Sequence, residues 1–411
     1  MSIKNQTLTF ILAGGVGSRL KPLTSARSKP SVPFGGKYRI IDFTLSNCLH
    51  SGLRRVLVLT QYKSHSLNKH LRDGWSVYNP ELGEYITPVP AQMNEGNHWY
   101  QGTADAIYQN LNLLERSDAD YTLILSGDHI YRMDYDALLN VHKDSGAAVT
   151  IACMEVPVEE ASAFGVVSVN EDLQITAFEE KPEQPATLPD NAEKSLVSMG
   201  LYVFSSELLK KALIEDQKNP DSNNDFGQDI LPALLKDHAI QAYKFGSEEG
   251  RVVPDRYWRD VGTIDAYYQA NMDLLDPVPP LNLYQKSWPI RTYQPQSPPA
   301  RTIPGGSGTK DVFGNSMLAN GVVISGGEVR HSILFRDVYI DDKATVSKSL
   351  LFQGVYVGEG ASLHNCIIDK NVRIPAMTHI GVDAESDRQR FTISDNGIVV
   401  VPEGYVFEEA V

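Results

Sequence analysis

Residues 10–43 read FILAGGVGSRLKPLTSARSKPSVPFGGKYRIIDF. An apolar run ends at Ala13 and opens into Gly14, Gly15 and Gly17, with Arg19 and Lys29 downstream. A strand-sized run feeding a Gly-rich turn is the entry to an α/β unit. Glycines let a backbone approach an anion closely, and two cations balance the charge of a polyphosphate. No Gly-Lys-Ser/Thr follows, so this is not a Walker A loop, and the third glycine of the dinucleotide fingerprint is missing. A Gly-rich turn carrying two solvated cations is the competing reading.

Working outward, apolar runs alternate with helical patterns. Strands are expected at 8–13, 56–60, 121–125 and 149–154, and helices at 43–53, 102–116 and 135–142. The strands are apolar throughout, as a parallel sheet covered on both faces demands. Such sheets bind ligands beyond the carboxyl ends of their strands, so the loops after Leu12, Thr60 and Leu125 are the places for a site.

Eight of the 23 prolines fall in residues 277–304, which excludes helix or central strand there. This divides the chain into an α/β domain at 1–276, a linker at 277–304 that could lie along a domain surface, and a C-terminal domain at 305–411. Residues 320–381 repeat with a period of 17. Val338, Val355 and Val372 align, as do Ile340, Val357 and Ile374; Ile333, Leu350 and Ile367; and Val346, Leu363 and Ile380. A three-sided coil of about six residues per side generates such columns. A small β-helix is expected, with a β-sandwich as the poorer alternative.

The whole chain has 411 residues and a net charge of −14. Two or three domains fit that length, and so acidic a chain is a poor match for a nucleic acid. No apolar run is long enough to cross a bilayer, and MSIKNQTLTF lacks a signal-peptide core. Cys48, Cys153 and Cys366 are far apart, with no zinc spacing, so reduced thiols in a cytosol are expected.

Two further stretches place an Asp beside a Gly: Ser126-Gly127-Asp128-His129 and Trp258-Arg259-Asp260-Val261-Gly262. Two carboxylates plus substrate phosphate oxygens make a site for Mg²⁺, a hard ion seldom fully caged by protein. An Asp at a strand end is also a common helix cap. His129 is read as a structural neighbour rather than a base. Phe178-Glu179-Glu180-Lys181-Pro182 puts a Lys before Pro, where extended backbone is expected; a solvated charged strand end is the alternative.

LAGGxGxRLxxLTxxxxKPxxPFGG resembles the signature of the sugar-1-phosphate nucleotidyltransferases. GGKYRIIDFTLSNC is similar, more narrowly, to the bacterial glucose-1-phosphate adenylyltransferases (ADP-glucose pyrophosphorylases). Matches continue through SGDHIYRMDY, ASAFGV, EEKPEQP, SMGLYVF, YWRDVGTIDAY and WPIRTY, nearly to the C-terminus. The resemblance implies a nucleotidyltransferase domain with a mostly parallel mixed sheet, Rossmann-like, followed by a left-handed β-helix. It implies the reaction ATP + α-D-glucose 1-phosphate ⇌ ADP-glucose + pyrophosphate, Mg²⁺-dependent, at the first committed step of glycogen synthesis.

Carried onto this chain, the resemblance makes Arg19, Lys29, Asp128, Lys181 and Asp260 catalytic, with Asp128 and Asp260 on the metal. Glucose 1-phosphate contacts become Tyr100, Gly165, Glu180, Lys181 and Ser198. Nucleotide contacts become Leu12, Gly14, Gly15, Arg19, Lys29, Gln92, Gly102 and Thr103. Gln61 and Trp99 match positions that relay effector signals, and packing beside Tyr100 is the other reading for Trp99. Arg39, Arg116 and Lys370 match contacts to small anionic effectors, and Arg39 could instead pair with Asp42. Ala26 and Pro33 stand where enteric-type members carry a Lys and a His, which leaves the effector's identity open. The resemblance further implies a cytoplasmic homotetramer without nucleic-acid or membrane partners. A sister enzyme using another nucleotide or sugar phosphate, or a catalytically dead regulatory subunit or β-helix scaffold, are the competing functions.

Overall fold

A computed structural model describes residues 2–93, 97–247, 250–252, 256–308 and 312–407. Strand Thr7–Leu12 lies between Arg55–Thr60 and Tyr121–Ser126, parallel to both. Alternate residues of these strands enter two different cores. Leu8, Phe10, Leu57, Leu59 and Ile124 pack on one side, and Ile11, Val56, Val58, Leu123 and Leu125 on the other. Two-sided burial is why the runs are apolar without alternation.

The parallel strands sit inside a 9-stranded mixed sheet. Strand Lys194–Ser205 runs antiparallel to Tyr121–Ser126 and leads to an antiparallel arm made by Gly165–Val169 and Ile175–Glu180. Helix Ile41–Ser51 ends on Gly52, whose φ of 80° lets its N–H turn back to the carbonyls of Cys48 and Leu49. The helix expected over 102–116 is two helices, Thr103–Tyr108 and Leu111–Ser117. Asn110 breaks it: its side-chain amide donates to the Ala106 carbonyl at 2.8 Å and to the Tyr100 hydroxyl at 2.9 Å.

The segment expected as a linker is pinned along the first domain. Trp288 and Ile290 are buried. The Trp288 indole donates to Asn47 at 3.0 Å, and the Arg291 N–H donates to the Ser46 hydroxyl at 2.9 Å. Its end already belongs to the next architecture, because Arg301–Ile303 pairs in parallel with Val323–Ser325.

Beyond it, three sheets of short strands, parallel except where Thr392–Ile393 pairs antiparallel with Val399–Val401, form the sides of a coil. The expected columns are in register: Ile340↔Val357↔Ile374, Ile333↔Leu350↔Ile367 and Val346↔Leu363↔Ile380. Corners stack residues of positive φ, among them His331, Lys348 and Asn365 along one edge and Asp337, Gly354 and Asn371 along another.

The columns do not all share one interior. Leu334, Leu351 and Ile368 fill the coil, whereas Ile333, Leu350 and Ile367 point outward into a core shared with the first domain. Phe34, Tyr267 and Phe352 meet in that seam, with ring centroids 6.4 Å and 6.5 Å apart in succession.

Candidate active site

The Gly-rich loop leaves Leu12 and is held at its base by backbone bonds. Ala13 N–H donates to the Leu59 carbonyl at 2.9 Å, and Gly127 N–H to the Leu12 carbonyl at 3.0 Å. Of its three glycines only Gly17 has positive φ, 62°. Gly14 is needed for space: a Cβ there would lie 3.2 Å from the Gln61 Cβ.

Asp128 follows strand Tyr121–Ser126 and precedes the short strand His129–Tyr131. That strand pairs antiparallel with Trp258–Asp260, with Asp260 opposite His129. The ribbon is what brings two carboxylates distant in sequence to one place. The Lys29 ammonium sits between them, 2.9 Å from Asp128 and 2.7 Å from Asp260. Burial pulls the Lys29 ammonium down, and the two carboxylates outweigh it, leaving its pKa raised. Burial likewise pushes Asp128 up, and Lys29, with His129 and the Ser126 hydroxyl, holds it below the usual carboxylate range.

These two acids fit Mg²⁺, which needs only one or two carboxylates when phosphates supply further oxygens. No group of three or more acidic, His or Cys side chains that could cage an ion occurs among the described residues. His129 is wedged edge-on against Trp258, centroids 5.1 Å apart, and burial lowers its pKa.

Around this centre opens a cleft of about 960 Å³. It is lined by Leu12, Gly14, Gly15, Arg19, Gly102, Thr103 and Tyr100 on one side, and by Gly165, Glu180, Lys181 and Ser198 on the other, with Asp128 and Asp260 between. Lys29 borders an adjoining recess of about 310 Å³ that shares Arg19 and Asp128. Glu180 and Lys181 form an ion pair of 2.7 Å. Lys181 is not extended: its φ is 49°, and its N–H donates to the Phe164 carbonyl at 3.0 Å. The strand ends at Glu180, and Lys181 departs from the pre-proline preference. Gly165 is tightly enclosed, since a Cβ would lie 2.5 Å from the Phe178 ring.

Gln61 lies in the cleft wall and brackets the backbone of Tyr100, accepting its N–H at 2.8 Å. Trp99 is 52% exposed, so it is not packed into a core beside Tyr100. Gln92 is exposed and is not among the cleft-lining residues.

Some lining residues went unread in the sequence. Asn223, Asp225, Phe226, Gly227 and Gln228 close one wall. Asp225 accepts from the Thr103 hydroxyl at 2.9 Å, and a Cβ on Gly102 would lie 2.2 Å from the Asn224 carbonyl. The available signal was the turn-forming Ser-Asn-Asn-Asp run before an apolar stretch.

Arg39 and Lys370 share a separate pocket of about 500 Å³ between the two domains, with Lys37, Lys69 and Arg336. Arg39 does not pair with Asp42 through its guanidinium. It donates instead to Ser66, at 2.8 Å to the hydroxyl and 3.0 Å to the carbonyl. Asp42 takes the Arg39 N–H, His70 and the Trp75 indole. Arg116 lies exposed on helix Leu111–Ser117 and does not line this pocket.

The Nucleotidyl transferase family profile matches residues 8–277, and that of the GlmU-like, C-terminal hexapeptide family matches 298–401. Fold and site thus define a nucleotidyl transferase carrying a left-handed hexapeptide β-helix. The chain is 62% identical to glucose-1-phosphate adenylyltransferase 2 of Vibrio parahaemolyticus over 400 residues, 97% of this chain and 99% of that one. It is 60% identical to the Vibrio cholerae protein of the same name, over 98% of both chains. It is 49% identical to glucose-1-phosphate adenylyltransferase of Hydrogenovibrio crunogenus, over 97% of this chain and 94% of that one. The chain belongs to the glucose-1-phosphate adenylyltransferase family.

Proposed function

We infer that the chain joins ATP and glucose 1-phosphate into ADP-glucose and pyrophosphate. The observation that carries this reading is the cleft lined by both Asp128 and Asp260, which Lys29 bridges from the adjoining recess, and by Glu180 and Lys181. One end suits a triphosphate and the other a sugar phosphate.

A phosphate oxygen of glucose 1-phosphate attacks the α-phosphorus of ATP. The new P–O bond forms as the bond to the β-phosphate oxygen breaks, and pyrophosphate leaves with that electron pair. The nucleophile is a phosphate monoester with a second pKa near ~6, already mostly dianionic at neutral pH. No general base is required, and His129 is packed edge-on against Trp258. Catalysis is then positioning and charge neutralisation.

Asp128 and Asp260 would hold Mg²⁺, which neutralises triphosphate charge when bound. Arg19 and Lys29 offset charge developing on pyrophosphate. Lys181 anchors the attacking phosphate, while Glu180, Ser198, Gly165 and Tyr100 receive the sugar. Leu12, Gly14, Gly15, Gly102 and Thr103 receive the nucleoside.

Small anionic effectors are assigned to the interdomain pocket of Arg39 and Lys370. Arg116, exposed on its helix, would join such a site from another subunit of a homotetramer. The reaction is assigned to the cytoplasm, where Cys48, Cys153 and Cys366, unpaired and buried, stay reduced. No helix among the described residues is long and apolar enough to cross a membrane. The division into 1–276, 277–304 and 305–411 is proposed with its last boundary drawn back to Arg301, where the first β-helix strand begins.

A nucleotide panel tests the function. Protein is incubated with Mg²⁺, glucose 1-phosphate and ATP, UTP, dTTP or GTP separately, and the sugar nucleotide is identified. ADP-glucose made selectively from ATP is expected. Selective use of another nucleotide would move the chain to a sister activity, and silence with all four, with and without phosphorylated effectors, would remove the reading.

A further inference from the structure

Arg27 is a charged side chain that the mechanism above does not use, yet it is only 2% exposed. It lies on the loop that leads from Gly17 to Lys29, and its partners belong to the other domain. Nη1 donates to Asp369 at 3.1 Å, and Nη2 lies 3.0 Å from the second Asp369 oxygen, a two-pronged pair. Nη2 also donates to Glu403.

Both acids hang from the far end of the β-helix. Asp369 follows strand Cys366–Ile368, and Glu403 follows strand Val399–Val401. Those strands pair with Ile368 opposite Val401, and Asp369 N–H donates to the Val401 carbonyl at 2.9 Å. Asp369 is itself 1% exposed. Burial pulls the Arg27 guanidinium down, but the two carboxylates outweigh it and raise its pKa. Such a pair holds its geometry, because removing one partner strands a buried charge.

The path from this clamp to the chemistry is one residue long. Ser28 separates Arg27 from Lys29. It is buried, and its carbonyl accepts from the Ser31 N–H at 3.0 Å and the Ser31 hydroxyl at 2.9 Å. The Lys29 carbonyl accepts from the Val32 N–H at 3.0 Å. Arg27 therefore stands just before a tight turn of which Lys29 is the first residue. One cation is gripped by β-helix carboxylates and the other by the paired acids of the cleft.

We propose that Arg27 is a positioning residue for Lys29, and that Asp369 and Glu403 make the end of the β-helix part of the support of the active site. The proposal rests on the role given to Lys29 above. It differs from a role in overall stability because it acts on one loop, and on turnover more than on substrate binding. A displacement of about 1 Å in a charged group beside the reacting phosphates is enough to lower a rate about 10²-fold.

Glu403→Gln is the primary variant, since the Glu403 side chain is 37% exposed and its replacement leaves the Arg27–Asp369 pair in place. Glu403→Asp serves as the conservative rescue, and Asp369→Asn as the stronger lesion. Two readouts are taken on the full chain. Hydrogen exchange is followed in residues 21–34, with strand Thr7–Leu12 as the internal control. The kcat and both KM values are measured with ATP and glucose 1-phosphate.

In Glu403→Gln, exchange in 21–34 is expected to quicken at least about fivefold while the control strand is unchanged. The kcat is expected to fall about tenfold with both KM values within about twofold, and Glu403→Asp to recover part of the loss. Wild-type kcat in both Glu403→Gln and Asp369→Asn would overturn the proposal. So would faster exchange throughout the chain in step with a lower Tm, which marks general destabilisation. A wild type inert toward this substrate pair, with faster exchange confined to 21–34 in the variant, would strike the functional reading and leave the clamp standing.

Discussion

The α/β sheet and the β-helix both rest on short apolar strands, yet they separate structure from chemistry in opposite ways. In the sheet each strand differs from its neighbours, and its carboxyl end delivers a different group to the cleft: Gly14 and Gly15 after Leu12, Gln61 after Thr60, Asp128 after Ser126. In the β-helix equivalent positions repeat from coil to coil, and the corners repeat with them. The lesson is that irregularity marks the site. Where the pattern recurs, residues stack; where it is broken by Gly, Asp or Lys, they face the cleft.

The sharpest way to break this contrast is Asp128→Asn. Turnover is expected to fall at least ~10²-fold, the scale of losing one preorganised electrostatic element, with melting little changed. Steady-state rates beside a thermal melt decide it, and near-normal turnover would void the assignment of Asp128. The counterpart in the repeat is Leu351→Ala, which opens a hole inside the coil. It should lower stability by about 2–5 kcal/mol while kcat per folded molecule stays at the wild-type value. Denaturant titration with active-site counting checks that split.

A smaller effect tests the two ends of the cleft. Lys181→Ala should raise the KM for glucose 1-phosphate about tenfold, the loss of one charge-assisted hydrogen bond, and leave the KM for ATP within about twofold. A change confined to ATP would reverse the assignment. The smallest effect concerns the interdomain pocket. Burial, with Arg27 and Arg39 nearby, lowers Lys370 to about 8, against the opposite pull of Asp369 and Glu403. Its charge is therefore present below that pH and lost above it. Binding of inorganic phosphate, followed by calorimetry at constant ionic strength, should weaken as pH rises through about 8. In Lys370→Met that step should vanish.

The sequence made some of this legible and hid the rest for physical reasons. Strand Thr7–Leu12 announces itself because burial on both faces admits nothing more polar than Thr7 and Thr9. The columns of the β-helix are visible because a repeat averages out local ambiguity. Lys29, Asp128 and Asp260 converge through the pairing of His129–Tyr131 with Trp258–Asp260, a contact no local pattern encodes, so resemblance alone joined them. The wall of residues 223–228 was missed because turn formers read as a surface loop, and only the folded chain shows Asn224 against Gly102. The left-handed Lys181 and the break at Asn110, whose side chain bonds the Ala106 carbonyl, depart from the local preference of their neighbours, and no short pattern announces them.

The adjacent apolar pairs Ile333-Leu334, Leu350-Leu351 and Ile367-Ile368 give the β-helix one wall that is oily on both sides. Such a wall makes the two halves poor candidates for exchange as modules. A chain ending at residue 276 would lose Phe352 from Tyr267 and the Lys348 carbonyl from Tyr268, baring an aromatic patch of the kind that drives clumping. A β-helix borrowed from a distant relative would have to bring matching outward residues at 333, 350 and 367. Substitutions on one bank of the seam are therefore answerable to the other, and a volume lost or gained on either side is felt by both halves.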